Sequence, residues 1–323
     1  MRRTPETMGW LIGLDWGTSS LRAMLFDGEG SVHETRRRPW GLRQVPDGGF
    51  EAALSSICEG WPSCPVLAAG MVGSREGWHE VPYLGTPADV HALATHLLTV
   101  SAGDGRHIHI VPGVRDGIGH NVMRGEETQL IGALDLQPRI AEGTPLVLPG
   151  THSKWVQLRQ HRIASFTTMM TGELYGLLRK HSILGTSLPD APAAARNDES
   201  FDDGVRAARD SGAAGMLTRL FSARTLMLEG RLDIAAVPDY LSGLLIGEEW
   251  RAALAAGWLD HGKAPVLIGD EALCLRYRRA ATLFDLPDPA WIADAAARGL
   301  WRIARVAGLA GDSTPLASME FSG

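Results

Sequence analysis

The chain opens on a short apolar run, Leu11-Ile12-Gly13-Leu14, that stops at Asp15. Consecutive apolar or small positions without polar alternation predict a strand buried on both faces. Asp15-Trp16-Gly17-Thr18-Ser19-Ser20 is turn-rich, and beyond it Leu21, Ala23 and Leu25 alternate with Arg22 and Met24, the two-residue period of a second strand. Asp27-Gly28-Glu29-Gly30 reads as the next hairpin turn. Further strands are expected at 66–69 and 108–111. Between them, Thr86-Pro87-Ala88-Asp89 has cap, first-turn proline and acid in helix-start order, and Val90, Leu93, Ala94, Leu97 and Leu98 share one helical face. A helix is expected over 126–134, with Leu130, Ile131 and Leu134 turned inward.

After a linker over 138–144 the pattern restarts. Leu146-Val147-Leu148 reads as a strand, 149–154 as a turn and 155–158 as a strand. Helices are expected near 171–182, 203–221, 238–256, 271–284 and 289–308, and the Pro- and Ala-rich segment 187–197 as a surface loop. The two openings echo one another. Gly17-Thr18-Ser19-Ser20 and Gly150-Thr151-His152-Ser153 share a G-T-x-S pattern, each set between strands and a domain's length apart. The expected fold class is therefore α/β, with two similarly built domains at 1–136 and 144–323 and the last helix, 289–308, bridging them.

With 323 residues the chain has room for two cores, and 45% hydrophobic with 21% charged residues is ordinary globular composition. A net charge of -6 argues against a basic face for nucleic acid but leaves room for a local basic pocket facing a small anion. Three cysteines, Cys58, Cys64 and Cys274, with no C-x-x-C, fit neither a disulfide framework nor a zinc site, and a reducing cytoplasm is the simplest setting. Arg2 and Arg3 are followed by no long apolar stretch, so neither a signal peptide nor a membrane span is expected. The oligomeric state stays open, a homodimer included.

Glycine removes the Cβ that blocks a phosphate from backbone N–H groups, and the Thr18, Ser19 and Ser20 hydroxyls add donors. Asp15, at the strand end, suits Mg²⁺ held through water. Neither G-x-x-x-x-G-K-[ST] nor G-x-G-x-x-G occurs, so phosphate binding would fall to the β-hairpins.

The segment 12–22 resembles the first phosphate motif of the actin-like superfamily of sugar kinases, actin and heat-shock ATPases, and Gly150-Thr151-His152-Ser153-Lys154 resembles the second. Three stretches resemble the 2-dehydro-3-deoxygalactonokinase family in particular: Gly70-Met71-Val72-Gly73-Ser74-Arg75-Glu76-Gly77-Trp78, Asn121-Val122-Met123-Arg124-Gly125-Glu126-Glu127-Thr128-Gln129, and Pro149-Gly150-Thr151-His152-Ser153-Lys154-Trp155. Met170-Thr171-Gly172-Glu173-Leu174 and 241–247 also fit. The resemblance implies two actin-like (ribonuclease H-like) domains around a cleft, the acid sugar on the first and ATP on the second. It also implies transfer of the ATP γ-phosphoryl to the C6 hydroxyl of 2-dehydro-3-deoxy-D-galactonate.

Such a kinase needs a base near the attacking hydroxyl and clamps on the moving phosphoryl group. Related sugar kinases place an Asp at the start of the helix ending the first domain. This chain departs from that pattern with Gly125-Glu126-Glu127. The base candidates are Glu126 and Glu127, with Asp15 as metal ligand and Asp116 in reserve. Gly17, Thr18, Ser19, Ser20, Gly150, Thr151, His152, Ser153 and Lys154 are the phosphate candidates. Arg75 and Arg124 are candidates for the substrate carboxylate, because a guanidinium meets it with paired bonds. Gly73 and Ser74 adjoin them, and Trp78 would pack on the carbon chain. By the same resemblance, Gly269 and Asp270, after the apolar 266–268, would face adenosine, with Gly247 contributing. Two alternatives remain: a kinase for another sugar or sugar acid, such as the gluconate epimer, and an ATP-binding regulatory protein without catalysis.

Overall fold

Strand β1 (Leu11–Trp16) is buried at every position except the half-buried Asp15, because strands flank it on both sides in this computed structural model. The structure describes residues 9–103, 105–140, 142–185, 196–259 and 262–311. The expected loop at 187–197 lies outside these as far as residue 195.

β1 runs antiparallel to β2 (Leu21–Phe26), which pairs with the arginine-rich edge strand β3 (Val32–Arg38). Charge on an exposed edge discourages further strand pairing. Helix α1 (Gly49–Ile57) buries Ala53, Leu54 and Ile57 in the core beside this sheet. β4 (Val66–Gly70) lies on the other side of β1 and parallel to it, which sets Asp15 level with Ala69 and Trp16 with Gly70. Next come β5 (Leu84–Gly85), α2 (Val90–Thr95), β6 (Leu98–Ser101), β7 (His107–Ile110), β8 (Val114–Asp116), β9 (Asn121–Met123) and α3 (Glu126–Leu136). The main sheet has the order β3-β2-β1-β4-β7-β6, and β5-β8-β9 form a small second sheet.

The chain continues through β10 (Leu146–Leu148), β11 (Ser153–Arg159), β12 (Arg162–Met169), α4 (Thr171–His181), α5 (Asp198–Arg209), α6 (Ser222–Leu228), α7 (Val237–Ala255), β13 (Val266–Ile268), α8 (Glu271–Leu283), β14 (Ala290–Ile292) and α9 (Ala295–Val306). Its sheet has the order β12-β11-β10-β13-β14. That repeats β3-β2-β1-β4-β7: an antiparallel pair at the centre, then two strands added in parallel. The echo of the two G-T-x-S turns is thus an echo of whole sheets, and the fold class is α/β with two actin-like units.

Of the described residues, those within 9–140, 159–165 and 294–311 form one compact unit and those within 142–158 and 166–293 the other. The first is cored by Ile12, Leu14, Trp16, Leu54, Val66 and Ile110, the second by Val147, Trp155, Phe201, Trp250, Leu267 and Tyr277. Each large apolar side chain so buried contributes about 1.5–3 kcal/mol.

Several boundaries differ from expectation. Helix α2 starts at Val90, capped by Asp89, whose side chain accepts from Ala92 N. Thr86 N instead donates to Arg115 O, and Ala88 pairs with Ile163, so that segment is extended. Leu98 belongs to β6 rather than to the helix, because Leu98 pairs with Ile110 of β7. The expected helix over 203–221 begins earlier, at the Asn197 cap, and ends at Arg209. Two 3-10 turns then lead to α6. The expected helix over 289–308 divides into β14, which completes the second sheet beside β13, and α9. α9 groups with the first unit, where Gly299 and Gly132 let it lie directly on α3. A Cβ on Gly299 would stand 1.8 Å from Thr128 O. Among the described residues no helix is long and apolar enough to cross a membrane.

Candidate active site

In the first unit, Gly17 N donates to Ser20 O (2.9 Å) and Leu42 N to Gly17 O (3.2 Å), closing the turn and leaving Thr18, Ser19 and Ser20 exposed. Trp16 Nε1 donates to Trp40 O at 2.7 Å, pinning the segment that follows β3 beneath the turn. Asp15 stands opposite Arg22 across the strand pair, with Arg22 Nη2 3.0 Å from its Oδ2. The start of α3 abuts the end of β4: Gly125, at φ +105°, would place a Cβ 3.2 Å from Gly70 Cα. Positive φ and this approach together require glycine. Asp15's strand end and the two glutamates therefore belong to one neighbourhood.

The glutamates differ in environment. Arg124 N donates to Glu126 Oε2 (2.9 Å), and Glu126 is half-buried. Glu127 has no exposed surface. Its carboxylate folds back to accept from Gly125 N and from the Thr128 hydroxyl at 3.1 Å. Burial, reinforced by the charge of Glu126, pushes the Glu127 carboxyl up to about 7. Asp116 is buried and accepts from Ile118 N (3.0 Å) and Gly119 N (3.1 Å) inside the β8–β9 hairpin.

Arg124 is only 8% exposed. Its Nη2 donates to Val81 O (2.7 Å), and its guanidinium lies 4.3 Å from the centre of the Tyr83 ring. Its Nε and Nη1 are buried without a hydrogen-bond partner among the described residues, and so is the Ser74 hydroxyl. Gly73 adjoins this group; a Cβ there would lie 2.9 Å from Arg124 Nη1. A buried cation with unmatched donors is costly, and an anion seated against it removes that cost. Gly73, Ser74 and Arg124 therefore come together, whereas Arg75 is exposed. Trp78 stacks on Phe50 (centroids 5.8 Å apart) and meets Trp16 edge-on, as part of an aromatic cluster. Tyr83 carried no signal in sequence, being a lone aromatic in a loop.

In the second unit, Gly150 N donates to Ser153 Oγ (3.3 Å), while Thr151 and His152 are exposed. His152 bonds to Glu173, and the buried Lys154 donates from Nζ to His152 O (2.9 Å). The parallel strands β10 and β13 end side by side, so the Gly269 turn lies beside the Gly150 turn; a Cβ on Gly269 would be 3.7 Å from Pro149 O. Asp270 accepts from Leu273 N (3.1 Å) as the cap of α8. Gly247 is not at these turns in the described contacts; it fits α7 against Val205 and Ala208 of α5. Beneath the Gly150 turn lies a buried carboxylate that sequence reasoning missed, Glu249. Trp155, Thr171 and Tyr277 converge on it from distant positions in the chain.

Among the described residues no group of three or more His, Cys, Asp and Glu is placed to hold a metal ion.

A model of the 2-keto-3-deoxy-galactonokinase family matches residues 15–303. The chain is 38% identical over 273 residues to the 2-dehydro-3-deoxygalactonokinase of Escherichia coli K12, spanning 83% of this chain and 88% of that protein. It is 36% identical over 309 residues to a Rhizobium meliloti protein provisionally named for the same activity, spanning 91% and 99%. A crystal structure of a Sinorhizobium meliloti protein, also provisionally so named, superimposes with a TM-score of 0.80 at 34% identity, covering 91% of this chain and 98% of that one.

Proposed function

Because the chain belongs to the 2-keto-3-deoxy-galactonokinase family, we propose that it transfers the γ-phosphoryl of ATP to the C6 hydroxyl of 2-dehydro-3-deoxy-D-galactonate, giving the 6-phosphate. The observation that carries the reading is the buried guanidinium of Arg124 with its unmatched donors, next to the equally unmatched Ser74 hydroxyl. Once the cover over Nε and Nη1 gives way, the acid's carboxylate supplies the missing acceptor, with the Tyr83 ring 4.3 Å from the guanidinium on another side. This makes the first unit the acid-sugar side.

The second unit is the nucleotide side. Thr151 and His152, exposed in its Gly150 turn, offer backbone amides and the Thr151 hydroxyl to phosphate oxygens. In the first unit, the exposed Thr18, Ser19 and Ser20 form a turn of the same donor chemistry. Gly269 leaves room beside the Gly150 turn for the nucleotide. Mg²⁺ would rest on Asp15 through water and neutralise charge developing on the transferred group. Of the two glutamates, the half-buried Glu126 takes the hydroxyl proton, since both oxygens of Glu127 are closed on Gly125 N and Oε1 on the Thr128 hydroxyl as well. We place the reaction in the cytoplasm; the three cysteines are free and buried, as a reducing compartment allows.

The test is a coupled assay at saturating Mg-ATP with 2-dehydro-3-deoxy-D-galactonate, its C4 epimer and a neutral hexose. The proposal expects turnover of the galactonate form, a lower specificity constant for the epimer and none above background for the hexose. Equal turnover of the hexose would remove the carboxylate from the account, and no turnover of either acid would remove the activity.

A further inference from the structure

A carboxylate with three hydrogen-bond donors around it, in the core of the second unit, has no part in the reaction as described so far. Glu249, on α7, is 2% exposed. Its Oε1 accepts from Trp155 Nε1 (2.8 Å), and its Oε2 accepts from Tyr277 OH (2.7 Å) and from the Thr171 hydroxyl. Indole N–H is a donor only, so Oε1 is committed to Trp155. Tyr277 OH is also 3.0 Å from Ser153 Oγ, which is in turn 3.3 Å from Gly150 N.

Proton direction along this line follows from the carboxylate. Tyr277 spends its single hydrogen on Glu249, so its oxygen faces Ser153 only as an acceptor. Ser153 then turns its own hydrogen inward, to Tyr277 or to Glu249 itself, and its oxygen faces the turn as an acceptor for Gly150 N–H. The same carboxylate holds the turn from a second side. Thr171 opens α4, and the next residue, Gly172, lies against the turn so closely that a Cβ there would be 2.5 Å from Gly150 O. Glu173 N, one residue on, donates to Thr151 O at 3.0 Å.

We propose that Glu249 is the positioning residue of the Gly150–Lys154 turn. Through Tyr277 and Ser153 it sets the direction in which the turn's hydrogen bonds run, and through Thr171 it seats α4 against the turn. The backbone amides of Thr151 and His152, both exposed residues, are thereby fixed for the nucleotide phosphates without Glu249 touching them. This rests on the reading of the chain as an ATP-dependent kinase.

Glu249→Gln keeps shape and volume but puts an NH₂ group at Oε2, since Trp155 retains the remaining oxygen. Tyr277 then becomes acceptor toward position 249 and donor toward Ser153, and the Ser153 hydrogen swings back to the turn, toward Gly150 O at 3.5 Å. Tyr277→Phe cuts the same line without touching the Trp155 bond to Oε1. The KM for ATP should rise about three- to tenfold in each variant, with the KM for the acid close to the parent value, while the Tm falls because each change strips a buried hydrogen bond. Ser153→Ala combined with Tyr277→Phe should cost no more than either alone, because both remove one line of bonds. The Tyr277 and Ser153 variants keep the test available if Glu249→Gln does not fold. A KM for ATP within about twofold of the parent in a folded Glu249 or Tyr277 variant overturns the proposal, as does an equal rise in the KM for the acid. A parent without ATP turnover overturns the kinase reading as well, and that result is read from the parent alone.

Discussion

Both carboxylate oxygens of Glu127 accept from the amide of Gly125, at 2.9 and 2.8 Å, so the side chain closes on the first turn of its own helix. The group has no exposed surface, and burial with the neighbouring Glu126 charge raises its carboxyl to about 7. In the folded chain it holds a proton that the unfolded chain has already released. The stabilising contribution is therefore complete below the ordinary carboxylate pKa of about 4.5, falls as pH rises toward 7 and levels off above it. The full loss is on the order of 3 kcal/mol. Thermal unfolding followed from pH 4.5 to 8 should show a decline in Tm that Glu127→Gln flattens, since Gln mimics the protonated form. Parallel profiles for the two proteins would place the group's titration elsewhere.

Glu126→Gln should cut kcat by about 10²–10⁴-fold while leaving both KM values and the Tm near those of the parent, the mark of a group that acts on a proton in the transition state. Glu127→Gln at pH 7 should cost less than about tenfold in kcat. Steady-state kinetics on both variants decides the assignment. A reversed order would require Glu127 to emerge from the helix start, and small losses in both would move the role to Asp15 or Asp116.

Helix α9 owes its seat on α3 to two glycines. A Cβ on Gly299 would lie 1.8 Å from Thr128 O, and one on Gly132 would lie 1.8 Å from Ala295 O. Backbone cannot yield as a side chain does, so Gly299→Ala should destabilise by at least about 1–3 kcal/mol, the usual cost of overpacking. Calorimetry would register this as a Tm lower by several degrees, and an unchanged Tm would mean that α9 is free to slide.

Tyr83 offers Arg124 a ring face in place of a counter-ion. Tyr83→Leu should raise the KM for the acid by about two- to tenfold, the worth of a partly buried cation–π contact, with the KM for ATP unchanged. Kinetics with each substrate varied in turn would reveal the split, and an effect on ATP instead would detach Tyr83 from the acid site.

The fold was legible wherever a local pattern carried the information. The unbroken apolar run at Leu11 and its counterpart at Leu146 announced two central strands, and the repeated G-T-x-S turn announced that the sheets repeat. What escaped depended on partners far along the chain. Ala290–Ile292 lies in a pattern that also suits a helix and is a strand because β13 is there to pair with it. Gly247 lies in a stretch that fits the family, and its neighbours on α5 account for the missing side chain. At the site, Arg124 was visible as a cation just ahead of the expected helix over 126–134. Its burial, the Tyr83 face and the Glu249 hub were not, because each is made by the meeting of segments that share no local spacing.

The most direct test of the account is the specificity constant for 2-dehydro-3-deoxy-D-galactonate in Arg124→Met, a variant that keeps the stem of the side chain and removes the cation. Losing a buried, charge-assisted contact to the carboxylate should lower kcat/KM for the acid by about 10²-fold or more, with the KM for ATP near the parent value. A kcat/KM for the acid within about threefold of the parent value would contradict it, because a buried hydrogen bond to a charged group is worth about 1.5–3 kcal/mol.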